Sequence, residues 1–415
     1  MSWIRKSLPL LVALMMGPLH AQVIPPLPNI APVSAGFSPE GLDRLHRSLN
    51  GVVDGGKYAG YVMLIARNGR VVDWQAYGSR DAVAKLPMEK DSIVRIYSMS
   101  KLVTSVAALM LVEEGRLGLQ DPVERYLPAL KGRKVLTGGK VDAPVLVDAR
   151  QPMTIRQLLT HTSGLYYDST SDDVARKLQE RANIWEAKNL DDFVQRVATL
   201  PLHDQPGERF RYSVSTDILG AVIEKASGQS LDAFFQSRIF DPLKMRDTGF
   251  AIGAVKRSRL ARIHALDPAT GRLALKPEEK LAFPSGGGGL YSTAGDYARF
   301  AQMLLNGGEL EGARILGRKT VELMTQNHLS GLAQPWTNFN EARGFGLGVA
   351  VLNDLGKSHT LGSRGQFGWE GMATTIVQID PREQIVAILL CQHLPFNEGD
   401  MFSRFSNGYY AALRD

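Results

Sequence analysis

A serine and a lysine three residues apart, Ser98 and Lys101, are the pair of side chains in this sequence best suited to covalent chemistry. Residues three apart lie on one face of a helix, so the Lys101 amine can reach the Ser98 hydroxyl. The apolar run from Leu102 to Val112 predicts a buried helix with both side chains at its N-terminal end. Partial burial and the positive end of the helix dipole both favour the neutral amine, a base that can activate a serine as a nucleophile.

A Ser-x-x-Lys sequence alone is a weak signal, because about one is expected by chance in a chain of this composition. Five other segments accompany it in a fixed order. They are His161 to Leu165, Tyr212-Ser213-Val214, Pro242 to Phe250, the glycine-rich Gly286 to Ser292, and Gly368 to Thr375. No Gly-x-Ser-x-Gly elbow occurs, which argues against an α/β-hydrolase.

In order and separation these six segments resemble the penicillin-recognising serine hydrolase superfamily, and most of all the class C β-lactamase-like carboxylesterases called family VIII. The resemblance covers about residues 38 to 413. It implies that Ser98 is the nucleophile, that Lys101 is its base, and that Tyr212 assists the attack and then protonates the leaving group. It also implies an oxyanion hole made by the backbone N–H groups of Ser98 and Met372.

Two of the motifs depart from the β-lactamase pattern. That family has an asparagine for the acylamino side chain of a β-lactam where this chain has Val214, and Lys-Thr-Gly for its carboxylate where this chain has Trp369-Glu370-Gly371. An indole in place of an ammonium shifts the pocket from anions toward apolar acyl or alcohol groups. We therefore assign Val214, Trp369, Glu370 and Gly371 to the substrate pocket. Family VIII esterases carry Trp-Gly-Gly here, and strand alternation allows the Glu370 carboxylate to face either into the cleft or away from it.

Strand-like runs occur near both ends of the chain. Tyr61 to Ala66 and Val71 to Tyr77 are joined through Asn68-Gly69, a pair that favours a tight hairpin. Near the C-terminus, Ala373 to Ile379 and Gln384 to Cys391 flank a second turn. Strands from the two ends of the chain are therefore predicted to share one antiparallel sheet.

Helical patterns fill the middle of the chain. Helices are predicted over 216–227 and over 231–239, with Ser230 as the N-cap of the second. The predicted fold is therefore α/β: a β-lactamase-like antiparallel sheet flanked by helices, with an inserted all-α subdomain and the site in the cleft between them. Residues 38–413 are predicted to form this single catalytic domain.

Residues 1–21 have the pattern of a secretory signal peptide. Arg5 and Lys6 precede an apolar run from Leu8 to Met16 that is too short to span a membrane, and Ala21 is a small residue suited to the cleavage site. Residues 22–37 form a Pro-rich lead-in. No cysteine follows the apolar run, which argues against a lipoprotein anchor, so we expect a periplasmic or secreted protein with no stable membrane span after cleavage. The alternative is an N-terminus that stays in place as a membrane anchor, since Leu19 at the third position before the cut is not ideal for cleavage.

The composition of the chain limits the kinds of partner that we expect it to bind. The formal net charge is +6, or +4 once the signal peptide is removed, and the scattered basic residues argue against binding of nucleic acid. The dense basic run from Lys131 to Lys140 is expected to be a solvated loop. Cys391, the only cysteine, and His161 are expected to be structural residues. The eight histidines lack the paired spacing of metal ligands, so no metal and no cofactor are predicted.

Together these features predict a carboxylesterase that cleaves short-chain carboxylic esters of small molecules through a Ser98 acyl-enzyme. Slow hydrolysis of β-lactams and transfer of the acyl group to an alcohol are left open, because both would pass through the same acyl-enzyme. Two alternatives remain. One is a β-lactamase or D-alanyl-D-alanine peptidase, whose carboxylate-bearing substrates Val214 and Trp369 would serve poorly. The other is a catalytically silent penicillin-binding-like protein, which the joint presence of Ser98, Lys101 and Tyr212 disfavours.

Overall fold

The computed structural model describes residues 26–278, 280–337 and 341–415. The proposed signal peptide lies outside these residues. The α-helices of the described chain are α1 (Pro39–Asp54), α2 (Ser100–Glu113), α3 (Ile155–Leu159), α4 (Asp173–Ala182), α5 (Leu190–Ala198), α6 (Ser215–Ser227), α7 (Leu231–Phe235), α8 (Ala294–Leu305), α9 (Arg318–Met324) and α10 (Met401–Tyr410).

The strands of the described chain are mostly short, and the two longest, β1 and β2, lie near its start. They are β1 (Gly60–Arg67), β2 (Arg70–Asp81), β3 (Leu86–Pro87), β4 (Val94–Arg95), β5 (Lys134–Lys140), β6 (Ala143–Asp148), β7 (His264–Leu266), β8 (Leu273–Leu275), β9 (Tyr291–Ser292), β10 (Glu309–Leu310), β11 (Ala313–Arg314), β12 (Arg343–Phe345), β13 (Ala350–Leu352), β14 (Phe367–Gly371), β15 (Thr375–Asp380), β16 (Ile385–Cys391) and β17 (His393–Leu394).

The main sheet joins the two ends of the chain, as the sequence predicts. Its order is β12-β13-β14-β15-β16-β1-β2-β3, and the neighbouring strands pair antiparallel. The closure between the ends is the pairing of β1 with β16, in which Tyr61 lies opposite Cys391 and Arg67 opposite Ile385. The predicted α/β class with a large antiparallel sheet is confirmed.

Both faces of the sheet centre are buried, which explains why its strands read as continuous apolar runs. Along β1 the side chains alternate between two cores, as the period of two requires. Val62 and Leu64 join a large core that contains α2 and α8, whereas Met63 and Ile65 join a second core under α1 and α10. The sheet therefore has an inner face toward α2 and an outer face toward α1 and α10.

Helix α2 is the central element of the inner layer. Twelve of its fourteen residues are buried, so it is apolar all round, as expected for a helix enclosed by other elements. Its neighbour α6 ends at Gly228, whose left-handed backbone (φ 71°) terminates the helix. The consecutive helices α3 to α7 build the helical layer from the middle of the chain.

Several local predictions agree with the structure and others do not. The Asn68-Gly69 turn joins β1 to β2, and Cys391 is fully buried in β16. Ser230 makes no side-chain cap, and the predicted helix over 231–239 ends at Phe235, after which a π-helical turn continues the chain. The basic run predicted as a loop is instead a hairpin of β5 and β6.

The described part of the lead-in packs onto the domain at several points. Leu27 is 4% exposed and Phe37 is fully buried, and the Pro26 carbonyl accepts a hydrogen bond from Arg299 at 2.6 Å. Among the described residues no helix combines the length and the apolar content needed to cross a bilayer. Within the same ranges no three His, Cys, Asp or Glu side chains are grouped as a metal site would require.

Candidate active site

Ser98 lies in a single 3-10 turn, Tyr97–Met99, that leads directly into α2. The residue before it, Tyr97, has a left-handed backbone (φ 44°), which is unusual for a bulky side chain and marks a constrained turn. The turn is fixed from below because the Tyr297 hydroxyl donates to the Met99 carbonyl at 2.8 Å. Ser98 therefore lies in a constrained turn at the start of the buried helix.

Strand β14 lies against this turn through Gly371. A Cβ atom at Gly371 would lie 2.3 Å from the Ile96 carbonyl oxygen and 2.2 Å from Thr375 Oγ1, so only glycine allows this approach. Met372 follows directly and is 47% exposed. The two N–H groups assigned to the oxyanion hole, those of Ser98 and Met372, therefore stand on the two segments that the Gly371 contact joins.

Lys101 is buried in the first turn of α2, with its side chain directed toward Ser98. Its Nζ donates to the Gly287 carbonyl at 2.7 Å and lies 3.3 Å from Ser98 Oγ. A third partner is the hydroxyl of Tyr167 at 3.1 Å. The Ser98–Lys101 contact is the one that the helical spacing of the sequence predicts.

Tyr212 stands at the other side of the amine, just before α6. Lys101 Nζ lies 4.7 Å from the centre of its ring, a cation–π distance. The Tyr212 hydroxyl accepts a hydrogen bond from Trp369 Nε1 at 3.1 Å, and the two rings are 5.3 Å apart. The structure therefore brings together Ser98, Lys101, Tyr212 and Trp369, which belong to three separate sequence motifs.

The glycine-rich segment supplies the carbonyl on which Lys101 rests. Asp217, fully buried in α6, accepts hydrogen bonds from Ser285 Oγ and from the Gly287 N–H at 3.0 Å. A Cβ at Gly287 would lie 2.3 Å from the Asp217 carboxylate, so glycine is required there as well. Burial raises the pKa of the Asp217 carboxyl, and the positive charge of Lys101 opposes that rise.

Ser100 ties the same segment to the helix. Its hydroxyl accepts a hydrogen bond from the Leu290 N–H at 3.1 Å, so it acts as a structural residue at the helix start. Thr104, one turn later, donates to the Gly286 carbonyl at 2.7 Å. Together with Lys101, these two residues fix the glycine-rich segment along one side of α2.

His161 is buried beneath Tyr212, with the two rings 4.8 Å apart. Its Nδ1 is 3.2 Å from Ser213 Oγ, and its carbonyl accepts from the Arg211 N–H at 2.8 Å. Burial, assisted by the charge of Lys101, lowers the pKa of His161 well below its ordinary value, so the ring is neutral. Its contacts support the segment that carries Tyr212.

The pocket residues predicted from sequence have different environments. Val214 is 2% exposed in the core at the start of α6, and Trp369 is 7% exposed on the inner face of the sheet. Glu370 lies opposite Ile376, whose side chain belongs to the outer core, and its carboxylate pairs with Arg343 at 2.8 Å. The assignment of Glu370 to the pocket is therefore wrong: strand alternation turns it away from the cleft.

Tyr167 is a site residue that sequence reasoning missed. It contacts Lys101 directly, its ring stacks on Trp185 at 6.2 Å, and it lies 5.4 Å from the ring of Tyr212. The signal that could have found it is its position two residues after the His161 to Leu165 segment.

Comparison with known proteins identifies the family to which the chain belongs. A family model described as Beta-lactamase matches residues 45–405. Protein Rv1367c of Mycobacterium tuberculosis is 36% identical over 372 residues, covering 85% of this chain and 90% of that protein. Esterase EstB of Burkholderia gladioli is 31% identical over 342 residues, covering 76% of this chain and 81% of that protein.

Among solved structures, EstCE1, a hydrolase with promiscuous acyltransferase activity, is similar with a TM-score of 0.78. The sequences are 27% identical, and the match covers 91% of this chain and 100% of that one. The chain therefore belongs to the Beta-lactamase family and is a β-lactamase-fold hydrolase with esterase relatives. The resemblance seen in the sequence motifs is confirmed.

Proposed function

We propose that this protein hydrolyses short-chain carboxylic esters through an acyl-enzyme on Ser98. The observation that carries the proposal is the contact of Lys101 Nζ with Ser98 Oγ at 3.3 Å, with the same amine over the ring of Tyr212. A nucleophile, a base and a second proton carrier within one cluster meet the requirements of acyl transfer.

In the acylation step Ser98 Oγ forms a bond to the acyl carbon while its proton passes to the Lys101 amine. The Tyr212 hydroxyl gives its proton to the departing alkoxide as the carbon–oxygen bond breaks, and the Lys101 ammonium returns a proton to the Tyr212 oxygen. A water molecule then attacks the acyl-enzyme by the reverse sequence and releases the acid. We assign the N–H groups of Ser98 and Met372 to the oxyanion that forms in both steps.

Trp369 favours esters over β-lactams. Its Nε1–H is already donated to the Tyr212 hydroxyl, and it carries no charge for a substrate carboxylate. Val214 offers no side-chain hydrogen bond for an acylamino group. A site built without partners for two polar groups discriminates against substrates that carry them.

Transfer of the acyl group to an alcohol is a second activity of the same site. EstCE1 is described as a hydrolase with promiscuous acyltransferase activity, and its fold matches this chain over nearly its full length. The chemistry differs only in which hydroxyl attacks the acyl-enzyme, and apolar aromatic rings around Tyr212 favour an organic alcohol. The ratio of the new ester to the free acid, measured in water with added alcohol, would quantify this transfer.

The first test addresses the nucleophile and its base. Ser98→Ala and Lys101→Ala should each lower kcat for a nitrophenyl ester by roughly 10³ or more, because the two groups act as a unit. Tyr212→Phe should lower kcat by about 10² or more. Ser105→Ala is the matched control: this serine is buried in α2 with no hydrogen-bond partner for its hydroxyl, so activity should persist. Retention of a tenth of the activity in Ser98→Ala or Lys101→Ala would refute the mechanism.

The second test addresses the substrate class. The best nitrophenyl ester should exceed nitrocefin by at least about 10² in kcat/KM, equivalent to roughly 2.7 kcal/mol of transition-state discrimination. Both substrates are assayed with the same enzyme preparation, with Ser98→Ala as the blank. Nitrocefin turnover equal to that of the best ester would replace the esterase proposal with a β-lactamase.

A further inference from the structure

Tyr167 carries the side chain in contact with the Lys101 amine for which the proposed mechanism provides no role. Its hydroxyl is 3.1 Å from Lys101 Nζ, close to the 3.3 Å that separates the amine from Ser98 Oγ. The side chain is not placed by chance, because its ring stacks on Trp185 and packs beside Tyr212.

The backbone of Tyr167 is also connected to that of Tyr212. Thr170 Oγ1 accepts from the Tyr167 N–H at 3.1 Å and donates to the Tyr212 carbonyl at 2.9 Å. The two phenols therefore stand on segments that one threonine holds together. Lys101 lies against both rings, 5.4 Å from the centre of the Tyr167 ring.

The number of hydrogen bonds that the Lys101 amine can donate and accept explains why Tyr167 matters. An ammonium donates three hydrogen bonds, whereas a neutral amine donates two and accepts one. The Gly287 carbonyl can only accept, so it always takes one Lys101 N–H. To attack, Ser98 must direct its own O–H at the amine lone pair. The second N–H of the neutral amine then has one remaining partner, the Tyr167 hydroxyl.

We propose that Tyr167 is a positioning residue that takes this second N–H and thereby directs the Lys101 lone pair at Ser98. Without it, the neutral amine could rotate about its terminal carbon–nitrogen bond, and the lone pair would often face away from the nucleophile. The proposal rests on the esterase mechanism above.

The surroundings allow Tyr167 to act as an acceptor across the working pH range. Burial and the nearby Asp217 carboxyl raise the pKa of Tyr167 well above its ordinary value, so it stays a neutral phenol. The other titratable groups that face Lys101 are Tyr212 just before α6, Asp217 within α6, and His161, which is neutral.

The test uses the rate at which Ser98 is labelled by a nitrophenyl phosphonate. Ser98 Oγ forms a bond to phosphorus, nitrophenolate leaves with the electron pair, and the Oγ proton passes to Lys101. In Tyr167→Phe the maximal rate should fall about tenfold or more, because the lone pair is no longer directed. A hydrogen-bond acceptor stabilises an ammonium more than an amine, so the rising limb of the pH–rate profile should also move to lower pH.

If the role of Tyr167 were only structural, Tyr167→Phe would lower the fraction of active protein but would leave the rising limb of the pH–rate profile in place. Tyr166→Phe is the matched control, because it removes a hydroxyl one residue away whose hydrogen bond goes to the Ala175 carbonyl. It should keep the wild-type rate and pH profile. If Tyr167→Phe labels like the wild type with the same profile, the positioning role is refuted. Absence of Ser98 labelling in the wild-type protein would instead refute the proposed function.

Discussion

A lysine buried in the first turn of a helix is costly unless its ammonium is fully hydrogen-bonded, and Lys101 satisfies that condition. One carbonyl and two hydroxyls surround its Nζ, and the buried Asp217 carboxyl lies nearby. Because hydroxyls can donate or accept, this shell accommodates the amine in both charge states. The proton transfers that we propose for Lys101 therefore need no rearrangement of its surroundings.

Trp369 contributes a hydrogen bond to this cluster in addition to its apolar ring surface. Its indole N–H can only donate, and it donates to the oxygen of Tyr212, so it should stabilise that oxygen when it becomes negative. Trp369→Phe keeps a ring and removes the donor. We expect kcat for an ester to fall about tenfold, close to 1.4 kcal/mol, with KM changed less than about threefold.

The control for this variant is Trp74→Phe, which removes a buried indole N–H that has no hydrogen-bond partner and lies on β2. It should leave both constants unchanged. An unaltered kcat in Trp369→Phe would mean that the indole serves only as part of the pocket wall.

Residue identities alone could place Ser98, Lys101 and Tyr212 in one site, because their motifs have fixed spacing and order. They could not place Tyr167 or orient Glu370. The first depends on how a loop folds back over α2. The second depends on strand register, since a shift of one residue would turn Glu370 toward the cleft and Trp369 away from it.

At the level of elements, the site depends on how closely β14 approaches the turn that carries Ser98. Gly371→Ala would place a methyl group 2.3 Å from the Ile96 carbonyl, so β14 or the turn must move. We expect kcat to fall by about 10² or more, because a displacement near 1 Å is enough to misplace catalytic groups. Circular dichroism and the labelling rate of Ser98 would separate misplacement from unfolding.

Gly253→Ala serves as the matched control, since a Cβ there would meet no atom within 4 Å. That variant should retain full activity. If Gly371→Ala were as active as the control, the contact between the strand and the turn would have no part in catalysis.

Elements with buried faces were the predictable ones. The hairpin of β1 and β2 and the helices α2 and α6 follow apolar patterns that burial imposes. The hairpin of β5 and β6 does not follow such a pattern because much of it is exposed: Val145 and Val147 are 55% and 43% exposed, and β5 begins and ends at a lysine. Its strands pair with each other through backbone hydrogen bonds, which leave little trace in side-chain periodicity.

At the scale of the whole molecule, the first residues of the domain belong to its core, because the two ends of the chain meet in one sheet. Leu27 and Phe37 are buried, and Pro26 is bonded to Arg299 on α8. Cleavage after Ala21 would remove the proposed signal peptide while leaving this packed segment intact. A chain of this size can bury enough apolar surface without disulfides, which is compatible with export of a protein whose single cysteine is buried.

We therefore predict that the full chain, expressed in a bacterium with a periplasm, is recovered there as a protein that begins at Gln22. The basic residues at Arg5 and Lys6, the short apolar run and the small Ala21 are the features that a signal peptidase requires. Intact-mass measurement of the osmotic-shock fraction would show the loss of residues 1–21. Ala21→Leu should impair cleavage, because a large side chain replaces the small one at the cleavage site. Recovery of the uncleaved chain in the cytoplasm would contradict the predicted export.

A deletion variant beginning at Ser38 should have a lower Tm than one beginning at Gln22, because it lacks Leu27 and Phe37, each worth about 1.5–3 kcal/mol of burial.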